Sequence, residues 1–231
     1  ELAAAAGGAD PEAHYLRALH LLADLHGKLS WFQDGRGARR RLEVARSATL
    51  DPLRREALRS LDECARTLSP GDRLQGWGAA AVALQAYLQA RPADALPLLR
   101  EVCAQDPDHR VAHEALAFLL ATAPGVDLDA ALGAAGHLVR KTPDHVRAYA
   151  LRAEFYLMRD NPARAQEDIA EAIRRAPDEG WLHEIQAKVD FARGRTDRAL
   201  QDLDHAQRLA PGSASGFRMR ARVLLESGRL D

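Results

Sequence analysis

Two short segments begin like the helical zinc-protease motif, in which two histidines four residues apart share a metal beside a glutamate. His113-Glu114 and His183-Glu184 supply the first histidine and the glutamate. Four residues after each histidine stands an alanine, so neither helix face carries the second imidazole that zinc requires. We predict no metal at either segment.

The histidines of the N-terminal region do not match a metal site either. His14, His20 and His26 are six residues apart. Each step of six rotates the side chain by about 240° around a helix of 3.6 residues per turn. The three rings would therefore point in three directions, and we expect them to lie on the surface or to cap helices.

Two glycine-containing segments resemble cofactor or catalytic loops but lack the required context. Residues 76–78, Gly-Trp-Gly, loosely match the dinucleotide fingerprint, which needs a preceding strand and a parallel sheet. Residues 212–216 resemble a nucleophile elbow, but Ala214 stands where the serine is needed. We predict no cofactor and no catalytic residue, with Ser213 or Ser215 capping a helix.

The charge balance gives no electrostatic signature of nucleic acid. The 231 residues include 32 basic and 33 acidic side chains, for a net charge of −1. Arginines between Arg36 and Arg55 could contact phosphate, but acids such as Glu43 and Asp51 alternate with them, and aromatic rings for base stacking are missing. A solvated helix face is the favoured interpretation, and we predict no nucleic-acid partner.

No segment has the composition of a membrane anchor or of a disulfide framework. No run of eighteen apolar residues is present, so we expect no membrane insertion. Cys64 and Cys103 are predicted to be buried free thiols, with a single bridge as the alternative. No signal-peptide pattern is seen, which favours the cytoplasm. A periplasmic location stays open because the chain begins at Glu1 without a methionine.

A 34-residue repeat organises most of the chain. Pro143, Pro177 and Pro211 are separated by 34 residues each. Further columns with this spacing are Ala131/Ala165/Ala199, Ala153/Ala187/Ala221, Arg164/Arg198, Asp168/Asp202, Ala172/Ala206 and Tyr149/His183/Phe217. A fixed period of roughly 20 to 50 residues is the signature of repeat architectures.

Each period fits two helices joined by a tight turn. In the clearest repeat we predict a first helix from Val146 to Met158 and a second from Pro162 to about Ala176. Proline in the first helical turn costs little, because the N–H that it lacks would have no intrahelical partner. Runs of β-branched residues with period-two alternation are absent, so the predicted class is all-α.

The pattern resembles the tetratricopeptide-repeat (TPR) family. The resemblance rests on the period, on small residues such as Ala153 and Ala165 where paired helices cross, and on the closing proline-aspartate. It covers about residues 76–231, as four repeats and a half. It implies a right-handed α-solenoid of helix-turn-helix repeats. The second repeat has 36 residues, because residues 123–127 lengthen its internal turn by two.

The first 75 residues do not follow the 34-residue grid. Residues 1–10, rich in alanine and glycine, are expected to form a flexible leader. Residues 11–75 are predicted to hold three helices, near residues 11–32, 38–48 and 51–69. These helices are either degenerate repeats or a separate cap.

The last repeat holds only its first helix. Because no second helix follows, we expect an exposed apolar stripe at Met219, Val223 and Leu224. Solenoid ends normally carry a polar capping helix. We therefore expect either a longer array or self-association through this end.

The resemblance also implies where a partner would bind, because the first helices of TPR repeats line the concave surface of the superhelix. Aromatic side chains would anchor a peptide or helix, and charges would fix its register. The predicted groove residues are Trp77, Tyr87, Phe118, Arg147, Glu154, Met158, Trp181, Glu184, Lys188, Phe191, Arg218 and Arg222. The alternative for Trp181 and Phe191 is packing within the core.

The lysine-asparagine clamp by which well-known TPR proteins grip a terminal carboxylate is not expected here. Ala150, Glu154, Glu184 and Lys188 occupy the comparable places. We therefore predict a non-catalytic scaffold, of bacterial origin by its arginine and alanine bias, whose protein or peptide partner carries both signs of charge. The alternative is a regulatory or substrate-presenting module of a larger enzyme or secretion protein.

Overall fold

A computed structural model describes residues 13–18, 21, 51–67, 76–88, 91–122 and 125–229. Every element of regular structure in these ranges is a helix, as the all-α class predicts. Residues 13–18 are helical and fall within the first predicted N-terminal helix. The predicted leader and the predicted helix near residues 38–48 lie outside the described residues.

Ten complete α-helices follow residue 50 in the described ranges. They are α1 Asp51–Thr67, α2 Gly76–Leu88, α3 Pro92–Gln105, α4 Arg110–Thr122, α5 Leu128–Lys141, α6 Val146–Met158, α7 Pro162–Arg175, α8 Gly180–Ala192, α9 Thr196–Leu209 and α10 Ala214–Glu226. The first-helix and second-helix bounds predicted for the clearest repeat agree with α6 and α7. Five residues separate α4 from α5, whereas three separate α6 from α7, so the lengthened turn is confirmed.

The chain divides into two compact units, residues 1–127 and 128–231. In the first unit α1 packs on α2, α2 on α3 and α4, and α3 on α4. Its fully buried side chains include Leu61, Leu84, Leu99 and Cys64. Both cysteines are free and buried, as predicted.

The second unit repeats one packing arrangement. Helices α6 and α7 form one pair and α8 and α9 the next, while α10 packs on both α8 and α9. The first helix of each pair, called the A helix here (α6, α8 and α10), also contacts the A helix of the neighbouring repeat. Residues 34 apart therefore occupy equivalent positions on neighbouring A helices.

Alanine allows the paired helices to cross closely. Ala153 of α6 and Ala165 of α7 are fully buried in one core cluster. Ala187 of α8 and Ala199 of α9 repeat this contact in the next cluster. The predicted small-residue crossing is therefore present in both pairs, and a larger side chain there would have to displace a helix.

We predicted an exposed apolar stripe on α10 at Met219, Val223 and Leu224. This prediction is wrong for Met219 and Val223. Met219 and Val223 are buried against Ala187, Ala199 and Leu203, because α10 uses that side to pack on the preceding repeat. The exposed large apolar residues of α10 are instead Phe217 and Leu225, and Leu224 is half-buried.

The turns after the three A helices share a left-handed residue. Asp160, Gly194 and Gly228 have φ of 54°, 73° and 71° and stand at the same repeat position. The backbone N–H of each donates to a carbonyl three residues earlier, as in Gly194 to Phe191 at 2.9 Å. Glycine adopts this conformation freely, whereas a side chain makes it costly.

We expect Asp160→Gly to raise the free energy of unfolding by about 0.5 kcal/mol, because it relieves the left-handed strain. The matched control is Gly194→Ala, which should lower the free energy of unfolding by about 1 kcal/mol, because alanine is strained in this conformation. A Cβ at Gly194 would have no atom within 4 Å, so only the backbone conformation is tested. Urea unfolding measures both variants, and effects of the same sign would contradict the prediction.

Candidate partner-binding surface

The predicted groove residues of the second unit lie on its three A helices. We call this set the A-helix face; it consists of Arg147, Glu154, Met158, Trp181, Glu184, Lys188, Phe191, Arg218 and Arg222. Two columns carry charge, at Glu154/Lys188/Arg222 and, from α8 onward, at Ala150/Glu184/Arg218. Because successive A helices pack side by side, these side chains meet across the repeats.

Glu154 and Lys188 form an ion pair between neighbouring repeats. Lys188 Nζ lies 2.6 Å from Glu154 Oε1, and only 10% of the Glu154 side chain is exposed. Burial raises the pKa of Glu154, while Lys188 and the nearby Arg147 lower it in part. This pair therefore joins α6 to α8 and is part of the protein interior.

Glu184 links α8 to the beginning of α10. The hydroxyl of Ser213 donates to Glu184 Oε1, and the backbone N–H of Gly216 also donates to this carboxylate. Ser213 accepts from the same N–H at 3.3 Å and is the N-cap of α10, as the sequence suggested. A Cβ on Gly216 would lie 3.1 Å from Glu184 Oε1, so glycine permits the close approach.

Burial disfavours the charged form of Glu184, and four neighbouring groups offset this effect in part. Burial raises its pKa, and the hydrogen bond from Ser213 and the charge of Lys188 lower it in part. Gly216 and Arg218 contribute in the same direction. The partial positive charge at the N-terminus of α10 adds to this stabilisation. Glu184 therefore acts as a bridge between repeats.

The apolar members of the A-helix face are half-buried. Trp181 packs on the core cluster of α6, α7 and α8, and its indole N–H donates to Glu179 at 2.9 Å. Phe191 packs on the next cluster, beside Leu200. Met158 is half-buried as well. These side chains thus take part in the core and keep an accessible surface.

The accessible charged side chains of the A-helix face lie on its last helix, α10. Arg218 is exposed, and Arg222 is half-buried with its Nε 2.7 Å from Glu226. At the equivalent positions one repeat earlier, Glu184 and Lys188 are used in bridges within the fold. Along these two columns Glu154, Glu184 and Lys188 are held by contacts within the fold, whereas the two arginines of α10 are accessible.

The first unit carries the remaining three predicted groove residues. Phe118 of α4 is half-buried. Trp77 and Tyr87 belong to α2, and their side chains lie outside the described part of the chain. The neighbouring Glu114, also on α4, is buried.

Sequence reasoning missed a second set of charged contacts, between the two helices of a pair. Arg152 of α6 donates two hydrogen bonds to Asp168 of α7, at 2.8 Å and 2.7 Å. One repeat later Gln186 replaces the arginine, while Asp202 keeps the place of the aspartate. The 34-residue spacing contained this signal, because Asp168 and Asp202 share a column.

Asp202 instead lies beside a second carboxylate, Asp190 of α8. Asp190 is buried, accepts from Gln186 Nε2 at 2.7 Å, and lies 2.7 Å from Arg195 Nε. Burial raises the pKa of Asp202 to about 7, helped by its hydrogen bond to Asp190 and by repulsion from it. Arg195 and Arg198 oppose this effect only in part.

In the described ranges, no group of three histidine, cysteine, aspartate or glutamate side chains is placed to hold a metal ion. His113 and Glu114 are buried within α4, and His183 contacts His205 edge to face with ring centroids 4.4 Å apart. None of the helices that the structure describes is both long and apolar enough to cross a bilayer.

Comparison with solved structures identifies similar architectures. A thermophilic TPR protein of Thermus thermophilus is 16% identical with a TM-score of 0.63, over 80% of this chain and 97% of that one. A TPR protein of Parabacteroides merdae is 15% identical with a TM-score of 0.61, over 91% and 75%. No family model and no curated protein matches the sequence.

A third similar structure belongs to a protein assembly. The APC/C hetero-tetramer Cut9–Hcn1 contains a chain that is 13% identical with a TM-score of 0.61, over 78% of this chain and 35% of that one. Together these likenesses establish that the chain has the TPR fold.

Proposed function

We propose, from the TPR fold of the chain, that it is a non-catalytic scaffold for protein–protein interaction. Its partner peptide or helix would lie on the A-helix face, the surface that is concave in TPR superhelices. The observation that carries the proposal is the change along the two columns. Glu154, Glu184 and Lys188 are held by contacts within the fold, whereas Arg218 and Arg222 of α10 are accessible. The similar Cut9 structure, a hetero-tetramer with Hcn1, supports a role in assembly.

The side chains of the face define the partner's chemistry. Trp181 and Phe191 are anchored in the core and half-exposed, so they offer rigid apolar contacts at little entropic cost. Exposed Arg218 favours an acidic residue of the partner, while the Arg222–Glu226 pair offers both signs. The partner is therefore an amphipathic segment with acidic residues beside its apolar ones.

The test is a charge reversal that leaves the core intact. The experiment captures the partner from source-cell lysate. We expect the variant Arg218→Glu/Arg222→Glu to retain at least tenfold less of it than the parent chain does. The control Arg140→Glu/Arg193→Glu changes two exposed arginines away from the face and should retain it. Amide exchange on the reconstituted complex should then show protection of α8 and α10. Equal retention by both variants, or protection elsewhere, would exclude the A-helix face.

A further inference from the structure

His109 caps the beginning of α4 with its imidazole ring. It directly precedes α4, and its carbonyl accepts from the backbone N–H of His113 at 3.1 Å, as the carbonyl of an N-cap residue does. Its ring nitrogen Nδ1 accepts from the backbone N–H of Ala112 at 3.2 Å. Ser213 caps α10 in the same way, since its hydroxyl accepts from the N–H of Gly216. A titratable ring thus stands where serine or asparagine is the usual cap.

This cap fixes which nitrogen of the ring carries the proton. A backbone N–H can only donate, so Nδ1 of His109 is the bare nitrogen and the proton of the neutral ring lies on Nε2. Nε2 in turn lies within hydrogen-bonding distance of the Tyr15 hydroxyl oxygen, which accepts from it. The two rings meet edge to face, with centroids 6.3 Å apart. One neutral tautomer therefore caps α4 and binds Tyr15 at the same time.

Tyr15 belongs to the N-terminal helical segment, residues 13–18, and anchors it to the first unit. Its side chain is buried, and so is that of Ala18, one turn later. Arg17 adds an ion pair with Glu56 of α1, and both of these side chains are largely exposed. Because an exposed ion pair contributes little, the buried contacts of Tyr15 and Ala18 hold the segment in place.

A proton on Nδ1 is incompatible with this arrangement. The charged imidazole carries a hydrogen on both nitrogens, so it cannot accept from the N–H of Ala112. It would also place a positive charge at the N-terminus of α4, where the helix dipole favours a negative one. The ring must turn away from the helix end, and Nε2 then leaves Tyr15. We propose that His109 is an acid-sensitive contact, whose protonation uncaps α4 and releases residues 13–18 from the first unit.

The surroundings of His109 favour its neutral form. Burial lowers the pKa of His109, and the nearby carboxylate of Asp106 raises it only in part. Tyr15 and the thiols of Cys64 in α1 and Cys103 in α3 are uncharged as well, because burial raises their pKa values. The other charged residues beside His109 in the sequence are Asp108 and Arg110.

The direction of the pH effect follows from the lowered pKa of His109. In the released state the imidazole has the ordinary histidine pKa of about 6.5. The released state therefore binds the proton more tightly than the docked state does. Docking of residues 13–18 is complete above this pH and weakens as the pH falls below about 6.5.

Residue-resolved hydrogen exchange of the 231-residue chain between pH 7.5 and pH 5.0 tests the proposal. This range leaves most carboxylates charged, and protection factors remove the effect of pH on the intrinsic exchange rate. The amide of Ala112 and those of residues 13–18 should lose protection by at least about fivefold, the size of a lost N-cap, with a common midpoint. Different midpoints, or no protection of residues 13–18 at pH 7.5, would overturn the proposal.

Two variants assign the effect to the ring. Asparagine also caps helices but does not titrate, so in His109→Asn the protection of Ala112 should not change with pH. His145 is the N-cap of α6 one repeat later and makes no capping hydrogen bond through its side chain, so His145→Asn should keep the parent's behaviour. The same loss of protection in His109→Asn as in the parent would overturn the proposal.

NMR of the imidazole nitrogens gives a second readout, which does not depend on stability. Long-range nitrogen–proton spectra at pH 7.5 should show His109 as the Nε2–H tautomer, and the Nδ1–H tautomer would contradict the cap. Asp202, which also exchanges a proton in this range, belongs to the second unit and is shared by all three chains. None of these results depends on the A-helix face.

Discussion

Lys188→Met is expected to lower the free energy of unfolding by about 3 kcal/mol, because it leaves the buried Glu154 carboxylate without its cation. The loss exceeds that of a surface pair, since Glu154 cannot turn toward water without disturbing the contact between α6 and α8. Urea unfolding followed by circular dichroism measures it. A loss below about 1 kcal/mol, the range of a surface pair, would show that the pair does not join the repeats.

The pH dependence of this variant gives an independent check. Burial already raises the pKa of Glu154, and removal of Lys188 removes a charge that lowers it. A carboxyl with a raised folded pKa stabilises the fold below its unfolded pKa, and this contribution is lost as the pH rises through the folded pKa. The cost of Lys188→Met should therefore grow as the pH rises above the pKa of an unfolded glutamate.

Two further variants separate charge from packing. Glu154→Leu/Lys188→Met replaces the whole pair by apolar groups and should recover most of the lost stability. Arg222→Met removes an ion pair of similar length, 2.7 Å, from the next member of the same column. Because that pair is accessible, its removal should cost less than about 0.5 kcal/mol.

The helices and their crossings were predictable because they depend on local rules. Asn161 and Pro162 indicate the turn between α6 and α7, and the N-cap contact from Arg164 N–H to Asn161 Oδ1 is 3.2 Å long. Ala153 and Ala165 could be placed at a crossing because the repeat aligns them with further alanines. Each of these inferences needs only spacing and the size of a side chain.

The placement of individual side chains on an A helix could not be predicted in the same way. Helices α6 and α8 are covered on two sides, so their apolar residues do not mark one face. This is why Met219 and Val223 were assigned to the exposed side of α10 although they face the preceding repeat. The Glu154–Lys188 contact was not predicted either. Both residues were assigned to the groove as contacts for a partner, whereas in the structure they pair with each other.

Asp202→Asn is expected to remove a loss of stability that the parent shows as the pH rises from about 4 to about 8. Burial beside Asp190 raises the pKa of Asp202 to about 7, so the folded chain holds a proton that the unfolded chain has released. Stability from this group is complete below the unfolded pKa of about 4 and is lost as the pH rises through about 7. The parent should therefore be less stable at the higher pH than at the lower one.

The size of the effect follows from the shift and from solvent exposure. A shift of about three units corresponds to about 4 kcal/mol. We expect roughly half of that, about 2 kcal/mol, because Asp202 is only half-buried and water screens its repulsion from Asp190. Urea unfolding at several pH values, compared between parent and Asp202→Asn, isolates this contribution from the histidines, which both chains share.

The preceding repeat supplies the control and the rescue. Asp168 occupies the same column but is held by Arg152, so Asp168→Asn should destabilise the fold and keep the parent's dependence on pH. Gln186→Arg restores an arginine opposite Asp202 and should flatten that dependence without removing either acid, because a nearby cation lowers a carboxyl pKa. If Gln186→Arg and Asp202→Asn both leave the slope unchanged, the Asp190–Asp202 contact is not its origin. If both variants flatten the dependence of stability on pH, the difference between the two repeats has one cause. Gln186 stands where the preceding repeat has Arg152, and without that arginine Asp202 keeps its proton near neutral pH.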